Sequence, residues 1–174
     1  MRDVLATEPA LAAALREPGA APLLAPLISP PLTPWQAVGL DLILEGFLLH
    51  HGRARHLDLP DHDRSVLAGD YCYAHGLVRI ADADDLFLIQ ALADLIALGA
   101  GLVTTGERAA LVPLWRGTAA AIAARGRPDE EQATALYADA RSNMRTGALA
   151  PALAALAALT RDLPETPELS EAFA

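Results

Sequence analysis

The sequence predicts an all-α protein, a helical bundle, and three observations carry that prediction. Hydrophobic residues make up 53% of the chain, and Ala and Leu dominate them. Both are strong helix formers, whereas the β-branched and aromatic residues that favour strands are few. Helix-start signals recur, with Thr, Asp or Pro set just ahead of apolar runs. No alternating strand pattern and no repeat of solenoid length is present. A chain of 174 residues suits one domain, since folding at this size buries roughly 70% of the unfolded surface.

The elements follow in order. A first helix is expected over 3–16. The stretch from Pro18 to Pro34 holds six prolines and reads as an extended arm, because proline removes N–H donors and disfavours helix in the residue before it. Thr33, Pro34 and Gln36 form a helix-start signature, with a cap, a first-turn proline and a capping-box partner. The helix they open runs from Trp35 to His51, with Leu40, Ile43, Leu44, Phe47 and Leu48 on one apolar face. A polar loop from Gly52 to Pro60 precedes a helix capped by Asp61 or Asp63 and ending near Ala81. Asp82 is the expected cap of the next, which reaches Val103; Asp84 and Asp85 beside it read as part of that helix start rather than as a metal motif. Further helices are expected near 107–125, 128–144 and 148–161, the second marked by Pro128 and the acids Asp129, Glu130 and Glu131. The chain thus reads as an N-terminal helix and proline-rich arm (1–34), a helical domain (35–161) and a flexible acidic tail (162–174).

Composition excludes several function classes. The 13 basic residues are all arginine, which excludes Schiff-base chemistry and a Walker-type lysine. A net charge of -9 argues against a nucleic-acid or anionic-membrane surface, both of which need clustered positive charge. The one cysteine, Cys72, allows no internal disulfide, so a cytoplasmic setting is expected. It reads as a small core residue. The N-terminal segment lacks the apolar run of a secretory signal, and no transmembrane segment is expected because Asp, Glu or Gly interrupts each apolar stretch. Gly-rich phosphate loops, G-x-S-x-G and HExxH are absent.

Three segments resemble a known family. Residues 66–81, VLAGDYCYAHGLVRIA, with Asp70 and Tyr71 at their centre, resemble a characteristic helix of the trans-isoprenyl diphosphate synthases. Residues 40–52, LDLILEGFLLHHG, are similar to the helix that in those enzymes ends in the first aspartate-rich motif. Residues 107–126 and 133–140 match a later region more weakly. The resemblance implies a truncated isoprenoid-synthase-like fold. It also locates three departures. The family's DDxxD aspartates, which hold Mg²⁺ for the substrate diphosphate, fall on His51, Gly52 and Arg55. Its Lys-Thr pair falls on Glu107 and Arg108, and RSNMRTGALAP stands where a second aspartate motif is expected.

The resemblance therefore implies a chain that does not catalyse prenyl transfer alone. Some members work as heterodimers in which a small subunit has lost both motifs, as in bacterial heptaprenyl diphosphate synthase, and dimers form near the segment that 66–81 resembles. The expected partner is a full-length catalytic subunit, with isoprenoid diphosphate as a further ligand. No cofactor is expected in this chain, and Mg²⁺ enters only through the partner.

Other constellations point to rival functions. Residues 50–63 gather four of the five histidines with three aspartates, and His51, His56 and His62 are the candidate metal ligands, although their spacing fits no metal motif. Arg53, Arg55 and Arg64 are candidate ligands for an anion or diphosphate, since forked guanidinium groups grip phosphate without metal. An enzyme of altered chemistry, acting through this His/Arg loop on an isoprenoid, is the first alternative. A homodimeric lipid-binding or scaffold protein is the second. Asp70, inside a helix, reads as a structural hydrogen-bonding group, His75 as a packed ring, and Trp35 and Trp115 as core or interface anchors.

Overall fold

The computed structural model describes residues 1–28, 32–82 and 85–174. The fold is all-helical, with isolated bridge pairing between Leu15 and Leu57 outside the helices. Instead of one helical body over 35–161, the chain forms two compact units. The first comprises Met1–Ala25, Thr33–Asp84 and Pro167–Ala174; the second comprises Pro26–Leu32 and Asp85–Thr166.

In the first unit the expected N-terminal helix is split into α1 (Arg2–Ala6) and α2 (Pro9–Ala12), because Pro9 cannot continue α1 and Glu8 caps α2 instead. The expected arm is not extended throughout: Ala25–Ile28 within it form a short helix, α3, of which all but Ala25 belongs to the second unit, and Ser29, Pro30 and Pro31 of the arm lie outside the described residues. The long α4 (Pro34–His51) starts as its signature predicts: Thr33 Oγ1 accepts from the Gln36 N–H at 3.2 Å and Gln36 Oε1 from the Thr33 N–H at 2.8 Å. The expected apolar face is buried, and so are Leu42, Leu49, Asp41 and Glu45 on its other sides. Helix α5 (His62–Ala81), capped by Asp61, runs antiparallel to α4. The two touch through paired glycines. A Cβ on Gly46 would stand 3.0 Å from the Gly69 carbonyl oxygen, and one on Gly76 would stand 2.8 Å from that of Gly39. Cys72, Leu42, Leu49, Leu57 and Leu5 form the core beneath α1 and α2.

The C-terminal segment 162–174 is not a flexible tail. Pro167 opens α10 (Pro167–Phe173), whose Leu169, Ala172 and Phe173 follow helical spacing and are buried. Phe173 meets Phe47 edge to face, with centroids 5.8 Å apart.

The second unit is built from α6 (Leu86–Thr104), a 3₁₀ turn (Arg108–Ala110), α7 (Leu111–Ala123), α8 (Glu130–Arg145) and α9 (Leu149–Leu159). Asp85, not Asp82, caps α6, accepting from the Leu88 N–H at 3.1 Å; Asp82 closes α5, and Asp84 lies outside the described residues. Gly106, at φ +81°, ends α6 in a Schellman motif, with the Glu107 N–H donating to the Leu102 carbonyl at 2.8 Å. Gly117 lets Leu156 of α9 close on α7. The buried Thr118 and Tyr137 hydroxyls share a hydrogen bond at 2.9 Å, and their second partners are the Leu114 carbonyl, 2.9 Å from Thr118, and the Ala91 carbonyl, 3.3 Å from Tyr137. Burial pushes that phenol up to about 12. Asp94 pairs with both Arg141 and Arg145. By length and composition alone α6 is apolar enough to cross a bilayer; Asp94, Gly99 and Gly101 interrupt it, and Asp94 is its single charge.

Candidate functional site

The His/Arg segment is held by one carboxylate. Glu45, buried in the middle of α4, accepts from three successive backbone N–H groups: Arg55 at 3.0 Å to Oε2, His56 at 2.8 Å and Leu57 at 3.2 Å to Oε1. Three donors on one carboxylate compensate the burial of its charge. Burial still raises its pKa, with the three N–H groups and the Arg55 charge opposing. The loop is further tied by the Arg55 guanidinium to the Ala21 carbonyl at 2.9 Å and by the Arg53 N–H to the Ala172 carbonyl at 2.9 Å. On its other side the Arg16 N–H donates to the His56 carbonyl at 2.9 Å and the Asp58 N–H to the Ala14 carbonyl at 2.8 Å.

One turn before Glu45 lies Asp41. Burial holds its carboxyl up at about 6, against the opposing pull of Arg55, the N-terminal amine and the Leu23 N–H. Its Oδ1 is buried without a hydrogen-bond partner. Burial also lowers Arg55, and it lowers His56 to about 4 with help from the charges of Arg55, the N-terminal amine and Arg2. This cluster of buried Asp41, Glu45 and His56 around the half-buried Arg55 is what sequence reasoning missed. The available signal was two acids, Asp41 and Glu45, inside an otherwise apolar helix.

The residues at the degenerate motif positions have structural roles. Gly52 has no room for a side chain: a Cβ would stand 2.7 Å from the Ala172 carbonyl oxygen and 2.7 Å from Leu48 Cδ2. His51 packs on Phe47 with centroids 4.8 Å apart. Arg55 is committed through its backbone and its guanidinium, as above.

The three candidate arginines do not form one site. Arg53 and Arg55 share a cleft of about 310 Å³ with Glu168 and Glu171. Arg64 lies with Asp61 at the start of α5 and lines a separate groove of about 650 Å³, whose walls include Leu11, Leu59, Leu67 and Tyr71. The candidate metal ligands are equally scattered. His51 ends α4, His56 is buried in the loop and His62 opens α5, and no cluster of three His, Cys, Asp or Glu side chains suited to a metal occurs among the described residues.

Asp70 does not meet an arginine. His50 Nε2 lies 3.2 Å from its Oδ1 without hydrogen-bond geometry, and the His50 ring stacks on Tyr73 at 5.4 Å. Gly69 makes room for that ring, since its Cβ would stand 2.5 Å from Nε2. Tyr71 stacks on His75 at 4.1 Å. Trp115 is buried, whereas Trp35 is 49% exposed beneath the Arg79 guanidinium at 4.2 Å. Cys72 is buried and its thiol is pushed up by burial and by the charge of Glu45, which removes it as a thiolate nucleophile. The arrangement therefore fixes the loop to the body of α4. No protein-family model, curated protein or solved structure matches the chain.

Proposed function

We propose that this chain is a non-catalytic subunit of a heteromeric prenyl diphosphate synthase, supporting or regulating elongation by a full-length, aspartate-bearing partner. The observation that supports this reading is the end of α4. There, at Gly52, one of the positions aligned with the family's first motif, the Ala172 carbonyl of the chain's own α10 takes the space that an aspartate side chain would need. Gly52 is pressed against Ala172, and Arg53 donates to the same carbonyl.

The outer side of α5 supports the subunit reading independently. Leu67 and Val78, 68% and 63% exposed, and Leu77 beside them lie on the helix near which the resemblance places dimer contacts. Such a patch is what a partner would cover. Mg²⁺ and the isoprenoid diphosphate then belong to the partner's site. The test is a pull-down of the tagged chain from its host, followed by a prenyltransferase assay. A co-purifying synthase whose activity or product length changes with this chain, and which is lost with Leu67→Asp and Val78→Asp, is expected. A partner equally active and unchanged without the chain overturns the proposal.

A homodimeric scaffold or lipid-binding protein is favoured by a different feature, the apolar outer side of α6, where Leu86 is 80% exposed. It is recognised by a homodimer that carries lipid and no synthase in native mass spectrometry.

A further inference from the structure

We propose that a cleft in the second unit, between the C-terminal ends of α6 and α8 and the start of α9, binds a small cationic amphiphile: a short apolar chain with an ammonium head. The cleft has a volume of about 320 Å³, and its apolar walls are Leu98, Leu102, Met144 and Leu149. That is about twice the roughly 150 Å³ of an engineered cavity that takes up benzene, and it lies at the lower end of small-molecule pockets. It admits a short chain and is too small for a helix.

Gly101 is the residue that keeps the cleft open. Gly is the poorest helix former after Pro, and Gly101 sits inside α6. Termination does not require it, because Gly106 ends the helix. Close packing does not require it either: a Cβ at this position meets nothing within 4 Å, unlike Gly46, Gly76 or Gly117. Gly101 lines the cleft, so any larger side chain there would enter it.

The head group follows from the polar wall. Glu107 lines the cleft, and its carboxylate has no ion pair or hydrogen bond among the described residues. Thr105 also lines it, and its hydroxyl proton is directed to the Gly101 and Leu102 carbonyls, leaving only acceptor capacity. No arginine lines the cleft. Two acceptors and no cation select a donor-rich, positively charged head and reject a carboxylate or phosphate.

The test is calorimetric titration of the purified full chain with octylammonium, 1-octanol and octanoate. One saturable site is expected, tightest for octylammonium and weakest for octanoate. Gly101→Leu is expected to weaken octylammonium at least tenfold with an unchanged circular dichroism spectrum. Leu149→Phe, filling the cleft from α9, does the same should the first variant fail to fold. Glu107→Gln is expected to abolish the preference for the ammonium over the alcohol. Absence of saturable octylammonium binding, or binding undiminished in the folded cleft-filling variants, overturns the site. Octanoate binding as tightly as octylammonium overturns the head-group assignment. The site stands apart from the subunit reading, so either fails without the other.

Discussion

Gly39 and Gly76 meet across the α4–α5 crossing so closely that a methyl group on Gly76 would stand 2.8 Å from the Gly39 carbonyl oxygen and 2.7 Å from Ile43 Cγ1. Neither atom is free to retreat, since one is backbone and the other lies in the core. Gly76→Ala is therefore expected to destabilise the protein by about 1–3 kcal/mol in urea unfolding, even though Ala is the better helix former by about 1 kcal/mol. Gly101→Ala, in open space, is expected to stabilise by up to about 1 kcal/mol. A gain at both positions would show that α4 and α5 part freely.

Glu45 holds the loop through backbone groups alone, so the effect of removing it depends on what remains to accept. Glu45→Ala leaves three N–H groups without their acceptor and is expected to cost about 3 kcal/mol. Glu45→Gln keeps one carbonyl oxygen and is expected to cost roughly 1–2 kcal/mol. Hydrogen exchange at the Arg55, His56 and Leu57 amides checks the mechanism directly. Unchanged protection in Glu45→Ala would remove the carboxylate from the account.

Asp41 and His56 respond to pH with opposite signs. Asp41 stands at about 6 in the folded state, above its ordinary 3.8. Its contribution is complete below the lower value and is lost as pH rises through the upper one. Asp41→Asn is thus expected to gain stability over the parent above pH 6, by up to about 3 kcal/mol, and nothing below pH 4. His56 stands at about 4, below its ordinary 6.5. Its contribution is complete above 6.5 and is lost as pH falls through 4, so His56→Gln is expected to flatten the acid side of the profile. Urea midpoints between pH 4 and pH 8 separate the two.

Phe173 is the next-to-last residue of a segment, 162–174, that composition alone would call mobile. Phe173→Ala is expected to cost about 3 kcal/mol, the usual range for a buried ring. Gly52→Asp, which drives a carboxylate at the Ala172 carbonyl, is expected to destabilise as well and to create no prenyltransferase activity. A thermal midpoint unchanged by Phe173→Ala would return 167–174 to the status of a loose tail.

Local signals were legible wherever one residue decides the outcome. The Thr33, Pro34 and Gln36 start and the α8 start are set within four residues, and each could be read from its own neighbourhood; the α5 start could be read only as Asp61 or Asp63, and the structure selects Asp61. Asp82 and Asp85 are both acceptable caps, and only the backbone geometry chooses Asp85. The C-terminal helix was hidden because Pro164 and Pro167 look like breakers, while Leu169, Ala172 and Phe173 become a buried face only when α4 supplies something to pack on. The same holds for the candidate site. The histidines and arginines of 50–64 are conspicuous in sequence, but Glu45 governs their loop, and a lone acid in an apolar helix does not announce three backbone partners. Glycine spacing at 39, 46, 69 and 76 was visible, yet its meaning depends on an antiparallel register that no single segment contains.

The placement of Cys72 has a practical consequence. It is the one thiol of the chain, shut within the first unit, so its reaction with a thiol-directed reagent counts the openings of that unit and nothing else. Trp115, buried in the second unit, offers an optical signal from the other half of the chain, with half-exposed Trp35 as the background to subtract. Following both signals through one denaturant series reveals whether the halves melt as a single cooperative transition or one after the other.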